Sequence, residues 1–348
     1  MKISQTNRWP QYLATFAATM GSFGLGTGIG WSSPTLPLLL DDCHDNGIAN
    51  CAFKAGDGIE PNQAKWVSGI FNLGAMVASA MTGILLTKVG RKWAMIINCV
   101  PMALGYFCLM LPLWLDPGFK VALFLVGRFL TGVGCGGFAL VPPLFVGEVS
   151  ETAIRGSLGT CMHLMLIFGK VFVSSLGIRH AVSVDVISGL CIVPPLACAA
   201  MLSFIPETPY FLITRGKVSE AQSALHWFKN GKELIDIQRA YEDQRKIGSI
   251  TFVKLITDLV YLQPFLLMTA LMFFQMFSGI NAVNFNLVSI FHDAGSQMDE
   301  GLQGFIINAT QASTYRIIYR SMYDYMPIFV LDFCVWRGLA VVLVDKLE

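Results

Sequence analysis

Long apolar runs separated by short polar breaks dominate the chain. They extend from Tyr12 to Leu39, Trp66 to Thr87, Trp93 to Leu113, Val121 to Val146, Leu158 to Leu176, Val184 to Ile205 and Leu262 to Ile290. Each is long enough, as a helix, to cross a hydrocarbon layer about 30 Å thick. The pattern predicts seven membrane helices and an irregular eighth run near the end of the chain. Trp9, Trp66, Trp93 and Trp114 fall at the ends of runs, where indole rings settle at a membrane–water interface. The first run follows Lys2 and Arg8 but far exceeds the apolar core of a signal peptide, so it reads as a first membrane helix.

A charged stretch from about Thr214 to Lys254 separates the sixth run from the seventh. Within it, Ser219 is placed to cap a short helix with Ala221, Leu225 and Phe228 on one face. The chain therefore divides into a six-helix bundle over residues 1–209, a linker over 210–256 and the start of a second bundle over 257–348. Gly132 and Gly136 form a G-x-x-x-G in the fourth run, a spacing that lets helix backbones approach closely. Lys88, Arg91, Lys92, Arg155, Arg215 and the linker cations share one side with the N-terminus. Positive loops stay cytoplasmic, which sets the N-terminus inside.

Composition agrees with a bilayer environment: 54% of residues are hydrophobic and 14% charged, with mean hydropathy +0.58. A soluble domain carries about 25% charged residues. A net charge of +1 offers nothing to a polyanion, and no nucleic-acid motif is present. The nine cysteines show no C-x-x-C and no metal-like spacing. Most lie in apolar runs as small buried hydrophobes; Cys43 and Cys51 share a polar loop and can pair if it faces an oxidising side. No nucleophile–base set, metal cluster or phosphate loop points to an enzyme, and no cofactor is implied.

The polar punctuation is more specific. Gly90-Arg91-Lys92 follows the second run, and Gly127-Arg128-Phe129 sits early in the fourth. Pro142-Pro143 leads to Glu148, Arg155-Gly156 opens the fifth run, and Pro206-Glu207-Thr208-Pro209 follows the sixth. The seventh contains Gln275-Met276-Phe277-Ser278-Gly279-Ile280-Asn281. In this order the set resembles the sugar porter family of the major facilitator superfamily. Within it, Gly30-Trp31-Ser32-Ser33-Pro34 is most like the insect facilitated trehalose transporters and related glucose facilitators. The resemblance implies an all-α membrane protein with the major facilitator fold, whose two six-helix bundles hold sugar between them and alternate access.

The same resemblance implies roles. Arg91, Lys92, Glu148, Arg155 and Glu207 stand at cytoplasmic helix ends, either as ordinary interfacial charge or as a network that pairs in one helix arrangement and parts in another. Arg128, inside a span, is expected to face the bundle interior as an anchor rather than touch substrate. Sugar hydroxyls need neutral groups that donate and accept, and Gln275 and Asn281 match amides that contact sugar in the family. Phe23 and Thr27 match first-span positions toward the cavity. His163 stands where the family has a sugar-binding Gln and still donates and accepts. Lys170, on the same helical face, replaces an aliphatic residue and either snorkels or meets a hydroxyl or carboxylate partner. The first run carries no acid of the kind proton-coupled members use, which favours facilitated diffusion of trehalose or a hexose over symport.

The match becomes ragged after Phe291. Gly304 to Gln311 resembles the start of an eighth span and Gly338 to Leu347 its end, with polar, aromatic Ala312 to Arg337 between them as an apparent insertion. Spans nine to twelve are expected to be missing. The expected partners are a sugar and the lipid bilayer, in the cell membrane. The alternative is a non-transporting form that forms a homo- or hetero-oligomer with full-length relatives or is degraded. The Asn308-Ala-Thr310 triplet lies in an apolar run and is discounted as a glycosylation site.

Overall fold

The computed structural model describes residues 8–40, 58–111, 119–178, 182–229, 259–279, 290 and 306–311. Cys43, Cys51, Trp114, Asn281 and the apparent insertion 312–337 lie outside the described residues.

Helices make up the described chain. In order they are α1 (Trp9–Gly30), α2 (Ser32–Leu39), α3 (Pro61–Val89), α4 (Arg91–Met110), α5 (Lys120–Val149), α6 (Thr152–Leu176), α7 (Val184–Ser203), α8 (Pro209–Thr214), α9 (Val218–Lys229) and α10 (Leu259–Phe277). Residues 306–311 are also helical. Among them, α3, α4, α5, α6 and α7 are long and apolar enough to cross a membrane, making this a multi-pass membrane protein. Prolines lie inside α4, α5 and α7, a residue membrane helices tolerate where freed backbone groups can find other partners.

The first apolar run differs from the single helix expected: it breaks at Trp31, where the backbone stays in the helical region, and α2 follows as a separate short helix. Trp31 is fully buried, and its indole donates to Ser188 of α7 at 3.0 Å, fixing the break to the bundle. At its other end α3 starts in a capping box: the Glu60 side chain takes a first-turn N–H, and Gln63 accepts the Glu60 N–H at 3.3 Å.

α5 is the central post. It packs most extensively on α3 and α4 and also meets α1, while α6 lies along α1 and α7 bridges α4 and α1. Gly132 and Gly136 make the α3–α5 crossing: a Cβ on either would collide with the α3 backbone at Phe71 or Ala75. Leu73, Met76, Met81 and Ile84 of α3 and Val193 and Leu196 of α7 face outward, as lipid-facing side chains do.

α9 begins at Val218, so Ser219 lies inside its first turn rather than capping it. Its buried face carries Ala221, Leu225 and Phe228. Ala221 and Leu225 pack with Leu212 and Ile213 of α8, while Phe228 enters the main core against Phe145, ring centroids 6.5 Å apart. Gln11 of α1 holds this corner, donating to the Phe228 carbonyl at 3.1 Å and accepting the Glu151 N–H at 2.9 Å.

Candidate functional site

Two polar regions stand out from the apolar bundle. The first lies at the turn between α3 and α4. Gly90 holds φ +97°, and the chain re-enters a helix directly after it, leaving the first N–H groups of α4 without intrahelical partners. The Glu207 carboxylate takes them, accepting from Arg91 N at 3.0 Å and Lys92 N at 3.1 Å, with Thr208 N at 3.0 Å on the same oxygen. A negative group here also meets the positive end of the helix dipole. Gly90 is required twice over, because a Cβ would also sit 2.5 Å from Glu207 Oε2.

Arg91 links two acids, Glu148 through its side chain and Glu207 through its backbone N–H. Arg91 pairs with Glu148 through Nη2 at 2.7 Å and Nε at 3.0 Å, and its guanidinium lies 5.6 Å from the Phe211 ring. Lys92 turns aside to the Ser203 carbonyl at 3.1 Å. Arg155 donates to the Ser150 carbonyl at 3.4 Å, outside the Arg91–Glu148 pair. Arg215 of the linker donates to the Thr87 carbonyl at 3.0 Å and to the Lys88 carbonyl, closing the C-terminus of α3. Arg8 pairs with Glu151 at 3.1 Å beside it.

Arg128 is fully buried, as an anchor should be. It donates to the Gly28 carbonyl at 2.9 Å and Ser32 Oγ at 2.8 Å, and its guanidinium lies 4.5 Å from the Phe71 ring and 5.1 Å from Trp31. Those contacts clamp both sides of the α1–α2 break onto α5. Thr27 belongs to this interior: its hydroxyl lies 2.7 Å from the Gly24 carbonyl and 2.8 Å from Tyr106 Oη. Its hydroxyl is therefore engaged between α1 and α4.

The second region is a polar seam where α6 meets residues 306–311. Lys170 is 5% exposed and donates to Gln311 Oε1 at 3.5 Å, while Asn308 Nδ2 donates to Ser174 Oγ at 3.0 Å. Among the described residues the partner of the buried Lys170 is an amide oxygen. Phe23 of α1 packs its ring on Phe172 of α6, centroids 5.7 Å apart, behind the seam. Farther along α6 the helix opens: His163 is exposed, and a Cβ on Gly156 or Gly159 would meet nothing within 4 Å. Gln275 is exposed on α10.

Ser174, Asn308 and Gln311 are polar residues that the sequence reading did not select. The available signal was two amides in an apolar run, expensive in a bilayer unless they meet partners. Among the described residues no group of three or more His, Cys, Asp or Glu is placed to hold a metal.

A family model described as "Sugar (and other) transporter" matches residues 14–317. Facilitated glucose transporter member 8 of solute carrier family 2 from Mus musculus is 31% identical over 81% of this chain, covering 55% of its own length. The facilitated trehalose transporter Tret1 of Apis mellifera ligustica is 29% identical over 85% of the chain and 57% of its own length. The chain thus spans a little over half the length of these curated relatives. A solved structure of the proton:xylose symporter XylE, of the major facilitator superfamily, superposes with TM-score 0.75 at 19% identity over 92% of this chain and 70% of that one. That likeness establishes the major facilitator fold.

Proposed function

The chain belongs to the sugar transporter family, and from that premise we propose that it moves a hexose or trehalose across the cell membrane by alternating access. The observation that carries this reading is the seam: Ser174, Asn308 and Gln311 supply neutral groups that both donate and accept, buried where α6 meets residues 306–311. Sugar hydroxyls require that chemistry, with an apolar wall such as Phe23 on Phe172 behind it. The exposed His163 and the open glycine face of α6 extend the same surface. Gln275 and Asn281 are assigned as further sugar contacts from the seventh run. Phe23 and Lys170 are assigned to the same site, with Thr27 in a supporting role.

Facilitated diffusion is the preferred mode, because α1 carries no acid through which a proton would be coupled. The Arg91–Glu148 pair and the Glu207 cap tie α4 to α5 and to the segment before α8, and they are assigned as the latch of one transport state. The cation-rich polar segments support a cytoplasmic N-terminus.

Thermal unfolding of purified chain 1–348 in detergent tests the sugar site. Specific binding raises the midpoint saturably, so D-glucose or trehalose is expected to stabilise more than L-glucose at equal concentration. Equal effects of D- and L-glucose would reflect only the general exclusion of sugars from protein surfaces and would contradict the assignment.

A further inference from the structure

Among the described residues Lys170 and Arg128 are cations buried within spanning helices, away from their ends, and they are treated differently. Arg128 has a carbonyl, a hydroxyl and two aromatic faces around it. Among the described residues Lys170 has one neutral acceptor, Gln311 Oε1, at 3.5 Å, the far limit of a hydrogen bond, although an ammonium offers three donors. α1 closes its other side, since a Cβ on Gly30 would come within 3.2 Å of Lys170 Cα.

No acid among the described residues answers this charge. Among the described residues the acids are Glu60, Glu148, Glu151, Asp185, Glu207 and Glu220, all at helix ends, in the segment before α8 or in α9. The ion pairs formed by Glu148, Glu151 and Glu220 go to Arg91, Arg8 and Lys217. A desolvated ammonium beside a neutral amide is a costly arrangement that an entering anion relieves. The groups next to it, Ser174, Asn308 and Gln311, are those that bind hydroxyls, and the open face of α6 at His163 leads toward them.

We infer that this seam selects a polyol bearing one carboxylate, a sugar acid, with Lys170 binding the carboxylate and Asn308, Gln311 and Ser174 binding the hydroxyls. The inference rests on the sugar-site reading and narrows its substrate class. A carboxylate fits better than a phosphate ester because Lys170 is a single point charge, and among the described residues of the seam no guanidinium fork answers a second negative charge.

The test titrates the unfolding midpoint of chain 1–348 with D-glucuronate, D-glucose and D-glucose 6-phosphate at constant ionic strength. A charge-assisted hydrogen bond in place of a neutral one corresponds to about tenfold tighter apparent binding of glucuronate than of glucose. Lys170→Gln is expected to erase that preference. Gln311→Glu, which places a carboxylate beside the ammonium, is expected to erase it as well, and it decides the matter if Lys170→Gln does not fold. Saturable, stereospecific glucose binding with glucuronate no tighter would overturn the inference and leave the sugar site standing. A preference for the phosphate ester would overturn the carboxylate assignment. If glucose, glucuronate and trehalose all fail to bind specifically, the sugar-site reading itself falls and this inference with it.

Discussion

The Glu207 carboxylate accepts the backbone N–H of Arg91 at 3.0 Å, so an acid 116 residues away in sequence caps the helix that Arg91 begins. The segment before α8 is tied to α4 through backbone groups rather than through the Arg91 or Lys92 side chains.

Removing that cap has a cost of about 1 kcal/mol, the usual worth of a capping side chain. Glu207→Ala is therefore expected to lower the unfolding midpoint in detergent. Gly90→Ala is expected to lower it further, because it strains a φ of +97° and crowds the same carboxylate. A Gly90→Ala protein as stable as the parent would show that the turn is not built this way.

Arg91 and Glu148 are half-buried and joined by two short hydrogen bonds to one oxygen. A double-mutant cycle with Arg91→Ala and Glu148→Ala is expected to give a coupling energy of about 1.5–3 kcal/mol, as for a charge-assisted bond away from bulk water. Lys217→Ala with Glu220→Ala, an exposed pair at the start of α9, should couple by less than about 0.5 kcal/mol. Equal couplings would contradict the placement of the first pair.

Arg128→Lys keeps the charge but loses the fork that reaches both Gly28 and Ser32, and with it the stacking on Phe71 and Trp31. The expected loss is about 2 kcal/mol or more, read as a drop in monodisperse protein after heating. Arg8→Lys, at an exposed ion pair, serves as the control and should change little.

Gln11→Leu deprives the Phe228 carbonyl and the Glu151 N–H of their partner at once. We expect a loss of about 2 kcal/mol and a loosened α9, seen as faster tryptic cleavage after Lys229 while the bundle stays intact. Unchanged cleavage would mean that Phe228 packing alone holds α9 in place.

Spans were legible in the sequence because a bilayer demands long uncharged runs, and α3 to α7 follow them closely. The break at Trp31 was not, since Gly30-Trp31-Ser32 sits within a continuous apolar stretch and the break is held by Ser188 and Arg128, both distant. The charged turn was legible by residue type but not by pairing. Orphan N–H groups of α4 compete with cationic side chains for Glu207, and backbone carbonyls draw off Lys92 and Arg155. Lys170 stood out as a cation in a span, yet its partner Gln311 is 141 residues away, near the point where the resemblance frays. Thr27 has the right residue type for a sugar contact, but Tyr106 holds its hydroxyl.

The central claim, that this bundle and its seam conduct a sugar, is tested most directly by uptake. Oocytes expressing residues 1–348 would be given radiolabelled glucose, trehalose and glucuronate, with uptake normalised to surface-biotinylated protein. The account predicts saturable uptake above water-injected controls for at least one of them, and its loss in Asn308→Ala. Uptake at control level despite normal surface delivery would contradict it.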